Sequence, residues 1–144
     1  MATEVSRVTV WTGEIEDRSG GLSEKIEAVS EAGANLEFVI ARRSPERRGA
    51  GFVFLAPLRG AAQCRAARAA GLRKASNVYT IRVEGPNRPG LGAKITHTLA
   101  DVGINMLGLS GTGLGSRCAI YISVDTSADA DKASRALKKA FSGK

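Results

Sequence analysis

The chain has 144 residues, of which 43 % are hydrophobic and 24 % charged, a composition typical of a globular protein with one ordinary or two small domains. Its start lacks the basic and apolar regions of a signal peptide, and no apolar run reaches the ~20 residues that cross a membrane, so we expect a cytoplasmic protein. Two cysteines, Cys64 and Cys118, and one histidine, His97, are too few for a structural zinc site of about four ligands, and we predict no cofactor.

The net charge is +7 and the pI is about 9.9, with basic side chains concentrated in the middle third of the chain. A basic surface raises the affinity for nucleic acid, anionic lipid or an acidic protein. Runs of this kind are nevertheless more often a solvated face than a binding site.

The first half predicts the order strand, helix, strand, strand, helix. Apolar residues recur every three to four positions in the first helix, and Gly33 ends it. A short strand fits residues 73–76. The predicted strands are residues 8–11, 36–41 and 52–55, and the predicted helices are residues 22–32 and 61–70.

The second half predicts the same order. Over residues 118–124 the large apolar side chains at even positions alternate with Ala119, Tyr121 and Ser123, which indicates a half-buried strand. Thr126 and Asp129 indicate a capped helix start. The glycine-rich run 111–115 lacks the spacing of a nucleotide-binding loop and links two strands, so it predicts a flexible hairpin. The predicted strands are residues 78–83, 106–109 and 118–124, and the predicted helices are residues 91–102 and 126–141.

An internal repeat relates the two halves at a constant offset of 70 residues. The recurring pairs are Arg18 and Arg88, Gly20 and Gly90, Gly33 and Gly103, and Asn35 and Asn105. Residues 1–76 and 77–144 are therefore predicted to be two modules. Their element order predicts an α+β fold of two tandem ferredoxin-like βαββαβ modules, each an antiparallel sheet with helices on one face.

The second module ends soon after its last helix, which leaves little room for its last strand. An uncovered sheet edge invites pairing with another strand or subunit. We therefore predict a homodimer.

The junction between the first strand and first helix of each module is the candidate binding site. Gly20 and Gly90 permit close approach of the backbone to a ligand, and the free N–H groups of a helix start suit a carboxylate. An asparagine side chain both donates and accepts hydrogen bonds. Asn35 and Asn105 would therefore either hold the ammonium and carboxylate of an amino acid or satisfy a turn.

Two segments of the second half, Asn87–Ile95 and Leu99–Met106, resemble the signature of the ACT domain, and Asp17–Asn35 resembles a more degenerate copy. The resemblance implies small βαββαβ modules that bind amino acids and regulate metabolic enzymes, with the ligand between two modules. It implies ligand contacts from Asn87, Arg88, Pro89, Gly90, Leu91, Asn105 and Met106, and in the first copy from Asp17, Arg18, Ser19, Gly20 and Asn35.

The first copy departs from the signature at two positions. Asp17 replaces asparagine, and its carboxylate would repel a ligand carboxylate but would hold an ammonium. Gly21 adds a residue before Leu22, which predicts a longer loop. The first module is therefore expected either to bind something different or to serve as a structural partner.

The resulting interpretation is a non-enzymatic sensor of a free amino acid that regulates a separate enzyme or regulator. No catalytic constellation accompanies His97, which we expect at the surface. The alternative is RNA or DNA binding, since ferredoxin-like modules with exposed aromatics serve that purpose. Phe52 and Phe54 are expected in the core instead, so nucleic acid is the less favoured partner, and no membrane partner is predicted.

Overall fold

The computed structural model describes residues 2–142, which form an α+β fold with two four-stranded antiparallel sheets and four helices. The strands are β1 (Glu4–Val8), β2 (Trp11–Glu16), β3 (Phe38–Arg43), β4 (Ala50–Ala56), β5 (Arg73–Lys74), β6 (Tyr79–Pro86), β7 (Gly108–Leu114) and β8 (Arg117–Val124). The helices are α1 (Gly21–Glu31), α2 (Gly60–Ala69), α3 (Leu91–Asp101) and α4 (Ser127–Phe141). Within the described residues, no helix has the length and apolar character needed to span a membrane.

The two sheets have the same topology, which confirms two ferredoxin-like modules. The first sheet has the order β3-β4-β2-β5 and the second the order β1-β6-β8-β7. The predicted short strand after α2 is present as β5, which pairs antiparallel with β2. In the second sheet, β1 takes the corresponding position and pairs antiparallel with β6, from Glu4 opposite Glu84 to Val8 opposite Thr80.

The chain divides into two compact units, and one of them is discontinuous. The first unit is Thr9–Ala75, and the second combines the N-terminal segment through Val8 with the chain from Ser76 onward. The sequence-based division at residues 76 and 77 placed the N-terminal segment in the first module, whereas the structure pairs it with the second. The second module therefore has the fourth strand that its own half does not supply. Val5 packs against its core, and Arg7 Nη1 lies 2.6 Å from Asp131 Oδ1.

Two further differences concern strand limits. Residues 8–11 were predicted to be one strand, but β1 ends at Val8 and β2 begins at Trp11, because the chain passes there from one sheet to the other. The glycine-rich run 111–115 was predicted to link two strands as a flexible hairpin, and it does lie in the β7–β8 hairpin, but residues 111–114 form the paired end of β7. The turn is at Gly115 and Ser116, since residues 108–114 all pair with β8.

Each unit has its own hydrophobic core between its sheet and its helices. Trp11, only 2 % exposed, is a core side chain of the first unit and packs with Val29 of α1 and Ala67 of α2. In the second unit, Ile95 and Leu99 of α3 are fully buried against the sheet. Hydrophobic burial on one face of each sheet thus fixes both helices in place.

Phe52 and Phe54 lie outside these cores, contrary to expectation. Val53 and Leu55 of the same strand are buried in the first core, so alternation points the two phenylalanines to the face away from the helices. Both are partly buried, and their ring centroids are 5.4 Å apart with an edge-to-face angle of 73°.

Candidate functional site

Both strand–helix loops end in a glycine that the backbone conformation requires. Gly90 before α3 has φ 89°, and Gly20 before α1 has φ 86°. This left-handed region costs a residue with a side chain about 1–2 kcal/mol. Because glycine has no side chain, neither helix has a side-chain cap. The N–H groups of Gly21 and Leu91 donate to the main-chain oxygens of Arg18 and Arg88, so only the next two N–H groups of each helix are left for solvent or a ligand.

The two loops have the same length, which corrects the prediction that the first is longer. Both helices have 11 residues, and they begin 70 positions apart, at Gly21 and Leu91. In the repeat, Gly21 therefore occupies the position equivalent to Leu91 and is not an inserted residue. A Cβ atom at Gly21 would overlap the main-chain carbonyl oxygen of Glu16, which excludes a larger residue there.

In the second half, Arg88, Pro89, Gly90 and Leu91 line a cavity of about 290 Å³. The remaining wall comes from the segment before β1, the end of β6, the first turn of α3 and the end of α4: Ala2, Thr3, Pro86, Lys94 and Phe141. The Lys94 Nζ atom lies 4.6 Å from the centroid of the Phe141 ring, within cation–π distance. The structure thus brings four predicted residues together and adds five that the sequence analysis did not select.

Asn87 contacts a different part of the second unit. Its Nδ2 donates a 3.1 Å hydrogen bond to the carbonyl of Gly115, and its main-chain N–H donates to the carbonyl of Ser116 at 2.8 Å. The side-chain amide thereby holds the turn between β7 and β8. Its Oδ1 takes no part in that bond.

Asn105 and Met106 lie at the other end of α3. The helix ends at Asp101, and the chain then leads into β7. Eleven helical residues span roughly 16 Å, so one small ligand does not contact both asparagines of the same module. Asn105 is exposed, whereas Met106 packs against the second core.

Two side chains of the first-half loop form ion pairs with residues of the adjoining strands and helix. Arg43 Nε lies 3.0 Å from the carboxylate of Asp17. Arg18 donates to Glu24 Oε2 at 2.7 Å and to Glu16 Oε1 at 3.4 Å.

The contacts of Arg18 with Glu24 and Glu16 shift the pKa values of Arg18 and Glu24 in opposite directions. The hydrogen bond from Arg18 lowers the pKa of Glu24, and the hydrogen bonds to Glu24 and then Glu16 raise the pKa of Arg18. The Arg18 guanidinium also donates a hydrogen bond to the main-chain oxygen of Ser19 at 3.2 Å, so it lies against the loop that carries it.

The remaining predicted residue of the first half, Asn35, is exposed beyond the end of α1. It is separated from the Asp17–Gly20 loop by the length of that helix, as Asn105 is separated from its own loop. The loop residues Asp17 and Arg18 instead border a depression of about 210 Å³ together with Arg42 and Arg43.

The offset of 70 also exposes a charge reversal that the sequence analysis missed. Extending the repeat comparison along the first helix would have found it, because both partners of Arg18 are replaced in the second half. The equivalent pairs are Glu16 and Pro86, Asp17 and Asn87, Glu24 and Lys94, and Arg43 and Gly113. Arg88, the equivalent of Arg18, therefore stands beside a lysine where Arg18 stands beside a carboxylate.

The second half also matches a known family by sequence. Residues 79–141 match the family model described as ACT domain. The second half of this chain is therefore similar to an ACT domain. The match covers α3, α4 and the strands between them, and it includes the loop of Asn87–Leu91. The first half has the same topology, so the chain has a tandem ACT-like architecture.

Solved structures share this architecture over nearly the whole chain. Protein BT0572 from Bacteroides thetaiotaomicron is 17 % identical with a TM-score of 0.76, over 94 % of this chain and 89 % of that one. The regulatory subunit of aspartate kinase from Thermus thermophilus is 16 % identical with a TM-score of 0.64, over 98 % and 97 %. Aspartate kinase from Synechocystis is 21 % identical with a TM-score of 0.64, over 99 % of this chain and 27 % of that one. At these identities the likeness shows the fold. No curated protein matches the sequence.

Proposed function

We propose that the protein is a non-catalytic regulatory protein that binds a free amino acid at the β6–α3 loop of its ACT domain. The observation that carries this proposal is the loop itself. In the half that matches the family, residues 87–91 form a glycine turn at an uncapped helix start. The first-turn N–H groups and the positive end of the helix dipole suit the ligand carboxylate. The Oδ1 of Asn87 suits its ammonium group.

Asn105 would contribute to this site from a second copy of the chain. The two asparagines lie at opposite ends of α3, so a ligand on the loop needs another source for the second amide. We propose a homodimer as that source. The argument from an uncovered sheet edge no longer supports the homodimer, because β1 pairs with β6 and supplies the fourth strand of the second sheet. Its support is the other edge strand, β7, which carries Leu109 at 45 % and Leu114 at 82 % exposure.

Thermal unfolding in the presence of each common amino acid tests the binding proposal. A ligand at a hundred times its dissociation constant stabilises the folded state by about 2.7 kcal/mol. We expect one amino acid, or a few related ones, to raise the Tm of the full chain. If none does so at millimolar concentration, the isolated protein is not an amino-acid sensor.

Two asparagine variants test the site. Asn105→Ala is expected to weaken the amino-acid effect without changing the Tm of the free protein, because its side chain is exposed. Asn77→Ala, at another exposed asparagine, is the control. Full binding by Asn105→Ala would remove that residue from the site. Light scattering at micromolar concentration tests the homodimer, and a monomer would contradict the shared site.

We further propose that the regulated partner is a separate metabolic enzyme, with a catalytic subunit of aspartate kinase as the first candidate. This chain covers 97 % of a regulatory subunit of that enzyme from Thermus thermophilus and shares its fold. Size-exclusion chromatography of the chain mixed with aspartate kinase from the same organism tests the pairing. Separate elution with and without amino acid would exclude this partner.

Nucleic-acid binding is the second candidate, and the observation in its favour is the position of Phe52 and Phe54. Their rings lie on the sheet face away from the helices, where RNA-binding modules stack bases. Copurified nucleic acid that dissociates with salt would favour this candidate. Its absence, together with an amino-acid effect on Tm, would favour the sensor.

A further inference from the structure

We propose that the solvent face of α2, together with Lys74 of β5, is a docking surface for an acidic helical segment of another protein. This surface lies wholly in the first unit of the chain, Thr9–Ala75. It does not depend on amino-acid binding in the second half, and it gives the proposed regulatory protein a surface for contact with a partner. The composition of the helix face, its charge and the ordering of its cations support the proposal.

The solvent face of α2 carries only arginine and alanine. With 3.6 residues per turn, positions 61, 62, 65, 68 and 69 lie on one side of this helix, and all of them are exposed. They are Arg65, Arg68 and three alanines, whereas Ala67 on the opposite side is fully buried in the first core. Because the solvent face of an amphipathic helix usually carries polar residues, these alanine methyl groups leave an apolar surface beside two guanidinium groups.

The positive charge of this surface is not balanced by neighbouring carboxylates. No aspartate or glutamate occurs in the sequence between Glu46 and Glu84. In the part of the chain that the structure describes, no ion pair joins Arg65, Arg68 or Lys74 to an acidic side chain. The surface therefore offers three cations to an acidic partner.

The equivalent helix of the second half has a different balance of charge. Arg135 and Lys138 of α4 occupy the positions 70 residues after Arg65 and Arg68, so both helices carry the same pair of cations. Helix α4 also carries aspartates in its first two turns, whereas α2 contains no acidic residue. The uncompensated charge is therefore a property of α2, and α4 provides a matched control.

A buried aromatic ring orders two of the three cations. The Arg68 Cζ atom lies 5.4 Å and the Lys74 Nζ atom 6.0 Å from the centroid of the Trp11 ring, both within cation–π distance. One cation comes from the helix and the other from the edge strand, so the ring brings two elements of the surface together. Because these long side chains are held before a partner arrives, binding costs less conformational entropy.

The spacing of the arginines and the alanines between them favour a helix that carries carboxylates. Arg65 and Arg68 are three residues apart and are neighbours on the helix surface, so carboxylates three or four residues apart on a partner helix match them. The alanine methyl groups then pack against the apolar side chains of that helix. Nucleic acid fits less well, because its backbone has no apolar side chains and the buried Trp11 ring is not available for base stacking.

The test is a titration of the full chain with a helical peptide of Glu-Glu-Leu-Ala repeats, followed by calorimetry and by the fluorescence of Trp11, the single tryptophan of the chain. A peptide of Lys-Lys-Leu-Ala repeats is the control. We expect the acidic peptide to bind saturably, to change the Trp11 emission and to bind more weakly as salt is added, since salt screens exposed charges. Equal binding of both peptides, or no saturable binding of the acidic peptide at millimolar concentration, would overturn the proposal.

Arg65→Glu combined with Arg68→Glu is expected to weaken binding of the acidic peptide about tenfold or more, because charge-assisted hydrogen bonds are lost and repulsion is gained. Arg135→Glu combined with Lys138→Glu makes the same change in net charge at the equivalent exposed positions of α4 and is expected to bind like the wild type. If the first variant does not fold, Arg65→Gln with Arg68→Gln removes the charges alone. Unchanged affinity in the folded α2 variant, or equal losses in the α2 and α4 variants, would overturn the site.

A single-stranded DNA oligonucleotide with the same number of negative charges distinguishes a protein partner from a nucleic acid. We expect the oligonucleotide to bind the full chain more weakly than the acidic peptide does. Tighter binding of the oligonucleotide, lost in the variant of Arg65 and Arg68, would assign the surface to nucleic acid and overturn the proposal.

The docking surface and the amino-acid site are tested separately. Asn105→Ala is expected to leave binding of the acidic peptide unchanged, because Asn105 belongs to the second unit and the docking surface to the first. Failure of every amino acid to raise the Tm would contradict the sensor and leave the peptide result as it stands.

Discussion

The two strand–helix loops have the same backbone and opposite chemistry. Each has a left-handed glycine before an 11-residue helix, at positions 70 apart. In the first loop, Arg18 is paired with Glu24 and Asp17 is paired with Arg43. In the second, Arg88 and Lys94 border a cavity, and no carboxylate is among its described lining residues.

This difference separates what a repeated backbone specifies from what its side chains specify. The glycine and the helix start are required for the turn in both halves. The charges at two or three neighbouring positions then decide whether the loop arginine forms ion pairs with nearby carboxylates or stands beside another cation that a ligand could contact. Under the proposed function, the second half is the binding half and the first half is its structural partner.

The largest expected effect is a loss of stability in the second unit, and not in the first, when strand β1 is removed. Deletion of residues 2–8 removes β1 and should destabilise the second unit by about 4 kcal/mol, because buried apolar contacts of Val5 and a row of main-chain hydrogen bonds are lost. Hydrogen exchange measured by mass spectrometry should show faster exchange in β6 and unchanged exchange in β4. Faster exchange confined to β4 would contradict the discontinuous unit.

The second prediction compares one glycine in each helix start. Gly21→Ala should destabilise the chain by about 2–3 kcal/mol, because its Cβ overlaps the Glu16 carbonyl oxygen. Gly92→Ala, where a Cβ meets nothing within 4 Å, should stabilise it by up to about 1 kcal/mol through helix propensity. Urea unfolding of both variants measures the two effects. Equal changes would contradict the different surroundings of the two helix starts.

The smallest expected effect concerns the ion pair of the first loop. Because the folded-state pKa of Glu24 is lowered by Arg18, its stabilisation is complete above the unfolded-state pKa and is lost as pH falls through the folded-state value. Glu24→Gln should therefore lower the Tm slightly at about pH 7 and not at about pH 3. A Tm difference that persists unchanged at the lower pH would assign the effect to something other than this charge.

Local sequence patterns predicted most of the fold, and tertiary pairing accounts for the main differences. The repeat placed the helices, since glycines and apolar spacing are local signals. The partner of β1 is not a local property. Residues 8–11 read as one β-rich run, although the chain changes sheets at Thr9 and Val10. The glycines of β7 likewise indicated a turn, but pairing with β8 overrode that propensity.

The candidate site was predicted less completely than the fold. The loop Asn87–Leu91 was selected, but Thr3 and Phe141 are distant in sequence, and only the fold brings them to Arg88. Lys94 was within reach of sequence comparison, because the charge reversal with Glu24 lies on the same repeat. The pairing of Asp17 with Arg43 spans 26 positions and has no local signal.

The most direct test of the functional difference between the loops is an NMR titration of the full chain with each common amino acid, following the amides of Gly90 and Gly20 together. Both residues have the same backbone conformation and the same position before a helix, so each serves as the control for the other. The account predicts a saturable shift of the Gly90 amide with at least one amino acid and no shift at Gly20. A saturable shift at Gly20 with Gly90 unchanged would contradict it.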